Sequence, residues 1–302
     1  MDLKYIEAGV LEIAYFEAGP RDGPAVILLH GFPYDAHSYL DVIARLAEKG
    51  MRCIAPFLRG YGATRFLSDD TPRSGQQAAL GADLLALMDA LSIEQATLAG
   101  FDWGGRAACI VAALWPERVT GLVSCGVGYN IQDIARANDP APAEEEARYW
   151  YIYLFHTERG RASLSHDRHG FCKFIWRLWS TSWEFDDATY ARSARAFESP
   201  DFIDIVLHSY QHRFGGIPGD PAVADIEGRL AQQPSITVPT IVVQGTDDGV
   251  DPPSEPASIR AKFTSTYERR VLQNVGHNPP QEAPDAFADA VLSVAGWTDQ
   301  KL

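Results

Sequence analysis

The chain is short of positive charge. Its 26 Lys and Arg face 40 Asp and Glu, giving a formal net charge of −14. That balance excludes nucleic acid and anionic membrane as partners, since both would be repelled. Long apolar runs are also missing, and no stretch approaches the ~20 residues that cross a bilayer. The N-terminal Met1-Asp2-Leu3-Lys4-Tyr5 lacks the charged-then-apolar pattern of a secretory signal. Cysteine is sparse: Cys53, Cys109, Cys125 and Cys172 are scattered without close pairs or metal-ligand spacing, so neither a disulfide nor a metal site is expected. Repeats and low-complexity tracts are absent. These absences leave a cytoplasmic globular protein, with a homo-oligomer left open.

What is present is alternation. Tyr5 to Ala18 reads as two strands about Gly9, and Ala25–Leu29 is an unbroken apolar run suited to a strand covered on both faces. Tyr39, Val42, Ile43 and Leu46 mark one face of a helix. A strand at Arg52–Ala55, a helix through Leu80–Leu91, a strand at Ala96–Ala99, a further helix and a strand at Val119–Ser124 follow. Strands alternating with helices predict the α/β class, a mostly parallel sheet with helices on both faces. The alternation stops at Gly126-Val127-Gly128. From Tyr129 to about Gln233 only helical spacing remains, and strands resume at Val238–Val243 and Arg269–Leu272, with helices at Glu255–Phe263 and Asp285–Val294. The expected organisation is a core in two parts, 1–128 and 236–302, with a helical cap, 129–235, inserted between them.

Open parallel sheets carry their sites at the carboxyl ends of the strands, and three candidates fall there. Asp102 follows the Ala96–Ala99 strand, with Gly100 and Gly104 two residues to either side. This is the strand–turn–helix spacing of a nucleophile elbow, Gly-x-nucleophile-x-Gly. Aspartate is an unusual occupant. A carboxylate has an ordinary pKa of about 4, so it needs no base to activate it and attacks carbon bearing a leaving group, giving an alkyl–enzyme ester. The plainer alternative is an Asp that caps the following helix. His277 lies after the last strand, between Gly276 and Asn278-Pro279-Pro280, and is suited to activate water as a general base. A second acid would hold its imidazole. Asp248, three residues after Gly245, is favoured over Asp247, which stays open. His30-Gly31-Phe32-Pro33 forms the other wall, with the backbone N–H groups of Phe32 and Trp103 as an oxyanion hole. Arg106 reads as a structural residue, and His208 and His212, four apart, as a packed or solvated pair.

Together, His30-Gly31-Phe32-Pro33, Arg59-Gly60-Tyr61-Gly62, Asp102-Trp103-Gly104-Gly105, Asp248 and Gly276-His277 resemble the α/β-hydrolase superfamily and its Asp-nucleophile branch, across essentially the whole chain. That branch holds epoxide hydrolases, haloalkane dehalogenases and fluoroacetate dehalogenases. Phe32 stands where haloalkane dehalogenases often have Asn, which favours an epoxide hydrolase; Trp103 stands where fluoroacetate dehalogenases typically have Arg, which counts against that member, while a Trp there is shared by dehalogenases and epoxide hydrolases. Phe57 stands where the superfamily often has Asp. The resemblance implies two cap tyrosines that protonate the epoxide oxygen. Tyr151, in the run Tyr149–Phe155, is the best match for the first, and Tyr210, ahead of Tyr190, for the second. Tyr153 and Tyr190 are expected to pack.

The reading that results is a cofactor-independent hydrolase opening epoxides to diols through an ester on Asp102. His30, Gly31, Pro33 and Trp150 would line the pocket, and the aromatic-rich cap implies a small apolar substrate. A haloalkane dehalogenase, with Trp150, Trp176, Trp179 and Trp183 about a halide, is the alternative within the class. A small-ligand binding protein or receptor on the same fold is the alternative outside it.

Overall fold

The computed structural model describes residues 1–299. Nine strands form one sheet: β1 (Leu3–Ala8), β2 (Leu11–Ala18), β3 (Ala25–Leu29), β4 (Arg52–Pro56), β5 (Arg65–Phe66), β6 (Ala96–Gly100), β7 (Val119–Cys125), β8 (Thr240–Gly245) and β9 (Tyr267–Leu272). Their spatial order is β1-β2-β4-β3-β6-β7-β8-β9, with the two-residue β5 paired to β2. β2 runs antiparallel to its neighbours, and every pairing from β4 to β9 is parallel. The central strands β3, β6 and β8 are apolar along both faces and almost wholly buried, because helices cover them on both sides.

The order reverses after β4. Right-handed crossovers therefore place α1 (Leu40–Glu48) on one face, and α2 (Gln77–Ala90) and α3 (Asp102–Leu114) on the other. Between β7 and β8 lie six helices: α4 (Ala143–Arg148), α5 (Trp150–Phe155), α6 (Glu158–Trp179), α7 (Asp187–Ala194), α8 (Phe202–Arg213) and α9 (Ala224–Leu230). Three more follow β8: α10 (Ala257–Arg260), α11 (Pro279–Glu282) and α12 (Pro284–Asp299), the last packed on α1. The helix expected over Glu255–Phe263 thus shrinks to a single turn, since Pro256 has no N–H and cannot be an interior helical residue. No helix among the described residues is long and apolar enough to cross a membrane. All four cysteines are free and buried.

The Arg59-Gly60-Tyr61-Gly62 motif has a packing explanation. Arg59 is buried and grips Asp83 of α2 through Nε and Nη2, both at 2.6 Å, while Nη1 donates to the Ser74 carbonyl at 2.7 Å. Removing one partner of such a buried pair costs about 3–5 kcal/mol. Gly62 has φ +55°, and a Cβ there would fall 2.4 Å from the Phe57 ring. Phe57 itself packs edge-on against Phe16 and His37.

Candidate active site

The elbow is built by close backbone approach. Asp102 has φ +49°, a left-handed conformation that costs a non-glycine residue about 1 kcal/mol or more. The chain can turn so sharply only because its neighbours are bare. A Cβ on Gly104 would lie 2.0 Å from the Leu29 carbonyl oxygen, one on Gly100 2.5 Å from the Gly104 backbone, and one on Gly31 2.4 Å from Asp102 Cβ. Gly104→Ala should therefore lower stability by about 3 kcal/mol or more, with backbone rather than a side chain having to yield. Urea denaturation checks this: a midpoint unchanged from the parent would contradict the close approach.

Asp102 Oδ1 accepts the Phe32 N–H at 2.7 Å. Trp103 N–H, the second expected donor, makes no hydrogen bond among the described residues and sits at the positive end of α3. His277 is buried, and its Nδ1 lies 2.9 Å from Asp248 Oδ2. Asp248 Oδ1 is held by the Val250 and Asp251 amides at 3.0 and 2.8 Å. Asp247 instead takes the Thr246 hydroxyl at 2.8 Å, so the geometry assigns the His277 contact to Asp248. His277 Nε2 is buried without a partner among the described residues. Burial disfavours the charged ring, yet the carboxylates of Asp248, Asp102 and Asp251 outweigh it and raise its pKa to about 9.

Asp102, His277, Asp248, Tyr151 and Trp179 share a cavity of about 130 Å³. At ~30 Å³ per water this is room for about four waters, hence for a small ligand. Tyr151 and Tyr210 are buried with ring centroids 5.4 Å apart, and the Tyr210 hydroxyl has no hydrogen-bond partner among the described residues. Both rings lie close enough to Asp102 for its charge to help burial raise their pKa values.

Four residues expected in the pocket do not line this cavity. His30 accepts the Leu58 N–H at Nε2 (3.1 Å), its Nδ1 contacts the Gly31 carbonyl (3.0 Å), and burial keeps it neutral with a pKa near 4. Gly31 only makes room for Asp102. Pro33, after a cis peptide, accepts the Trp176 indole N–H at 2.7 Å. Trp150 packs on Tyr151, Phe171 and Phe174. Tyr190 is a packing residue, its hydroxyl donating to the His169 carbonyl at 2.5 Å.

The support behind His277 was not expected. Ser180, just past α6, accepts the His277 N–H at 3.0 Å and donates to Glu282 at 2.6 Å. Glu282 also takes the Gly276 and Asn278 amides. A Cβ on Gly276 would meet Ser180 Cα at 2.4 Å, and Gly249 N–H donates to the Trp179 carbonyl at 3.0 Å. The end of α6 is thus fastened to the loops that carry Asp248 and His277. The only sequence signal was Glu282 itself, five residues after His277.

A strand-end carboxylate on an elbow, a buried His–Asp pair and a facing amide define a hydrolase of the α/β type. The sequence profile of the alpha/beta hydrolase fold family matches residues 24–284, and the chain belongs to that family. A crystal structure of a candidate epoxide hydrolase from Klebsiella pneumoniae is 52% identical over 97% of both chains, with a TM-score of 0.95. Epoxide hydrolase A of Mycobacterium tuberculosis is 25% identical over 96% of this chain and 95% of its own. Epoxide hydrolase 2 of Siraitia grosvenorii is 39% identical over 107 residues, and the match spans only 33% of that relative's length.

Proposed function

We propose that the protein is an epoxide hydrolase that forms a covalent ester on Asp102 beneath a helical cap, residues 129–235. The observation that carries the reading is the buried pair Tyr151 and Tyr210 beside a carboxylate whose one hydrogen bond among the described residues is the Phe32 amide. Oδ1 is occupied by that amide, so Oδ2 is the attacking atom. It bonds to a ring carbon, the carbon–oxygen bond of the epoxide breaks, and the released oxygen takes a proton from a tyrosine hydroxyl. His277 Nε2 then takes a proton from water, and the hydroxide adds to Asp102 Cγ. The oxyanion forms at Oδ1 against the Phe32 and Trp103 amides. Collapse expels the diol, protonated by the imidazolium, and the Asp102 carboxylic acid returns the tyrosine's proton.

Relatives named as epoxide hydrolases support the substrate class. Tyr151→Phe and Tyr210→Phe should each lower kcat/KM for styrene oxide by about 10²-fold, the usual worth of a positioned general acid. Diol formation followed by chromatography measures it. Full activity in the double variant would remove the tyrosines from the mechanism.

A specific observation also favours a second reading, dehalogenation. The indole N–H groups of Trp103 and Trp179 are both buried without partners and could hold a halide. Trp176 is already engaged by Pro33. Halide released from alkyl halides, with no diol from epoxides, would replace the first reading by this one.

A further inference from the structure

The reactive cavity has a second chamber. A cavity of about 290 Å³ adjoins it, and the two share Arg106, Val127, Asn130, Tyr149 and Arg213, which therefore form the neck between them. Two arginines at a neck are unexpected in so acidic a chain, and neither has an ion-pair partner among the described residues. Arg106 is only 6% exposed, yet the one side-chain hydrogen bond it makes among the described residues is from Nε to the Asn130 carbonyl at 3.2 Å. The Arg213 guanidinium has no hydrogen bond or ion pair among the described residues. The contrast is with Arg59 and Arg52, each held by a carboxylate. Asp133 and Glu145 line the outer chamber without pairing with either guanidinium, and Asp251, on the inner wall, is taken by the Val127 amide at 2.9 Å. Burial and mutual repulsion lower the Arg106 pKa to about 10, so it remains cationic at neutral pH.

The two arginines are in register with the reacting groups. Arg106 stands four residues after Asp102 on α3, and Arg213 three after Tyr210 on α8. Positions three and four apart share a helix face, offset by about 4.5–6 Å along the axis. The nucleophile and one tyrosine are thus each followed, one turn on, by a guanidinium. Resting on the Asp102 ester reading, we propose that the substrate is an epoxide bearing a carboxylate within one or two bonds of the ring, held at the neck by Arg106 and Arg213. The aromatic side chains then cover the ring, and the arginines select the charged end. Arg106 is more than the structural residue its position in the sequence implies.

Glycidate and glycidamide test this, being matched in size and different in charge, with styrene oxide as the reference epoxide. The parent enzyme should prefer glycidate in kcat/KM by about tenfold or more, the scale expected when a built polar contact is lost. Arg213→Gln, at a partly exposed helix end, should bring the ratio close to one, mainly through KM, and Arg213→Lys should restore most of it. A ratio at or below one in the parent, with glycidamide or styrene oxide turned over, overturns the carboxylate subsite and leaves the hydrolase standing. If no epoxide is turned over, the hydrolase reading fails, and calorimetry with propionate still decides the subsite. Propionate binding that is lost in Arg213→Gln supports it, and binding that is absent or unchanged overturns it.

Discussion

His277→Gln should react once with an epoxide and stop. In the proposed sequence the first step uses only the Asp102 carboxylate and a tyrosine proton, so removing the base leaves alkylation possible. The second step needs a base at Nε2, and glutamine has none. Turnover should fall by about 10³–10⁴-fold, the upper range for a general base. Intact mass should rise by that of the whole epoxide, and peptide mapping should place the gain on Asp102. A gain equal to the alkyl group of a halide, with nothing from epoxides, would identify a dehalogenase. No adduct from broad panels of both would end the Asp-nucleophile mechanism and raise the binding-protein alternative.

The second large effect belongs to Asp102→Asn. Loss of a nucleophile should cost about 10⁴-fold or more in turnover. The same variant tests the electrostatics. His277 sits at about 9 because burial is outweighed by three carboxylates, Asp102 among them. Removing a negative charge destabilises the imidazolium, so the pKa must fall, and NMR titration of the ring reads it directly. An unchanged or higher value would contradict the geometry. The shift has a mechanistic counterpart. In the proposed mechanism, forming the ester also neutralises Asp102, so the first step would lower the pKa of His277 and free it to act as a base when one is needed. Accordingly, the acidic limb of single-turnover ester hydrolysis should lie below the pKa measured in the free enzyme.

Much of this was legible in the sequence because its signals are local. Ala25–Leu29 reads as a buried strand from five apolar residues, and β3 has those bounds. Asp102 announces itself by flanking glycines, since only bare neighbours allow the turn. Other features depend on direction or distance in space. His30, Gly31 and Pro33 lie at the right strand end, but strand position does not reveal that His30 turns to Leu58 and Pro33 to Trp176. β5 is too short to show a period. Ser180 lies 97 residues from the histidine it supports, with no local pattern to mark it. The arginine neck joins the ends of two helices over a hundred residues apart, and only the fold brings them together.

The fastening of α6 to the catalytic loops bears on how such enzymes can be recombined. Exchanging the segment between β7 and β8 for that of a relative is an obvious route to new substrates. Here that exchange would also carry off Ser180, a strut under His277, the base of the proposed mechanism. A chimera cut at the strand ends inherits a foreign brace for its own histidine. One that keeps Trp179 to Ser180 from the parent, by placing its second junction before them, changes the roof without disturbing the hearth.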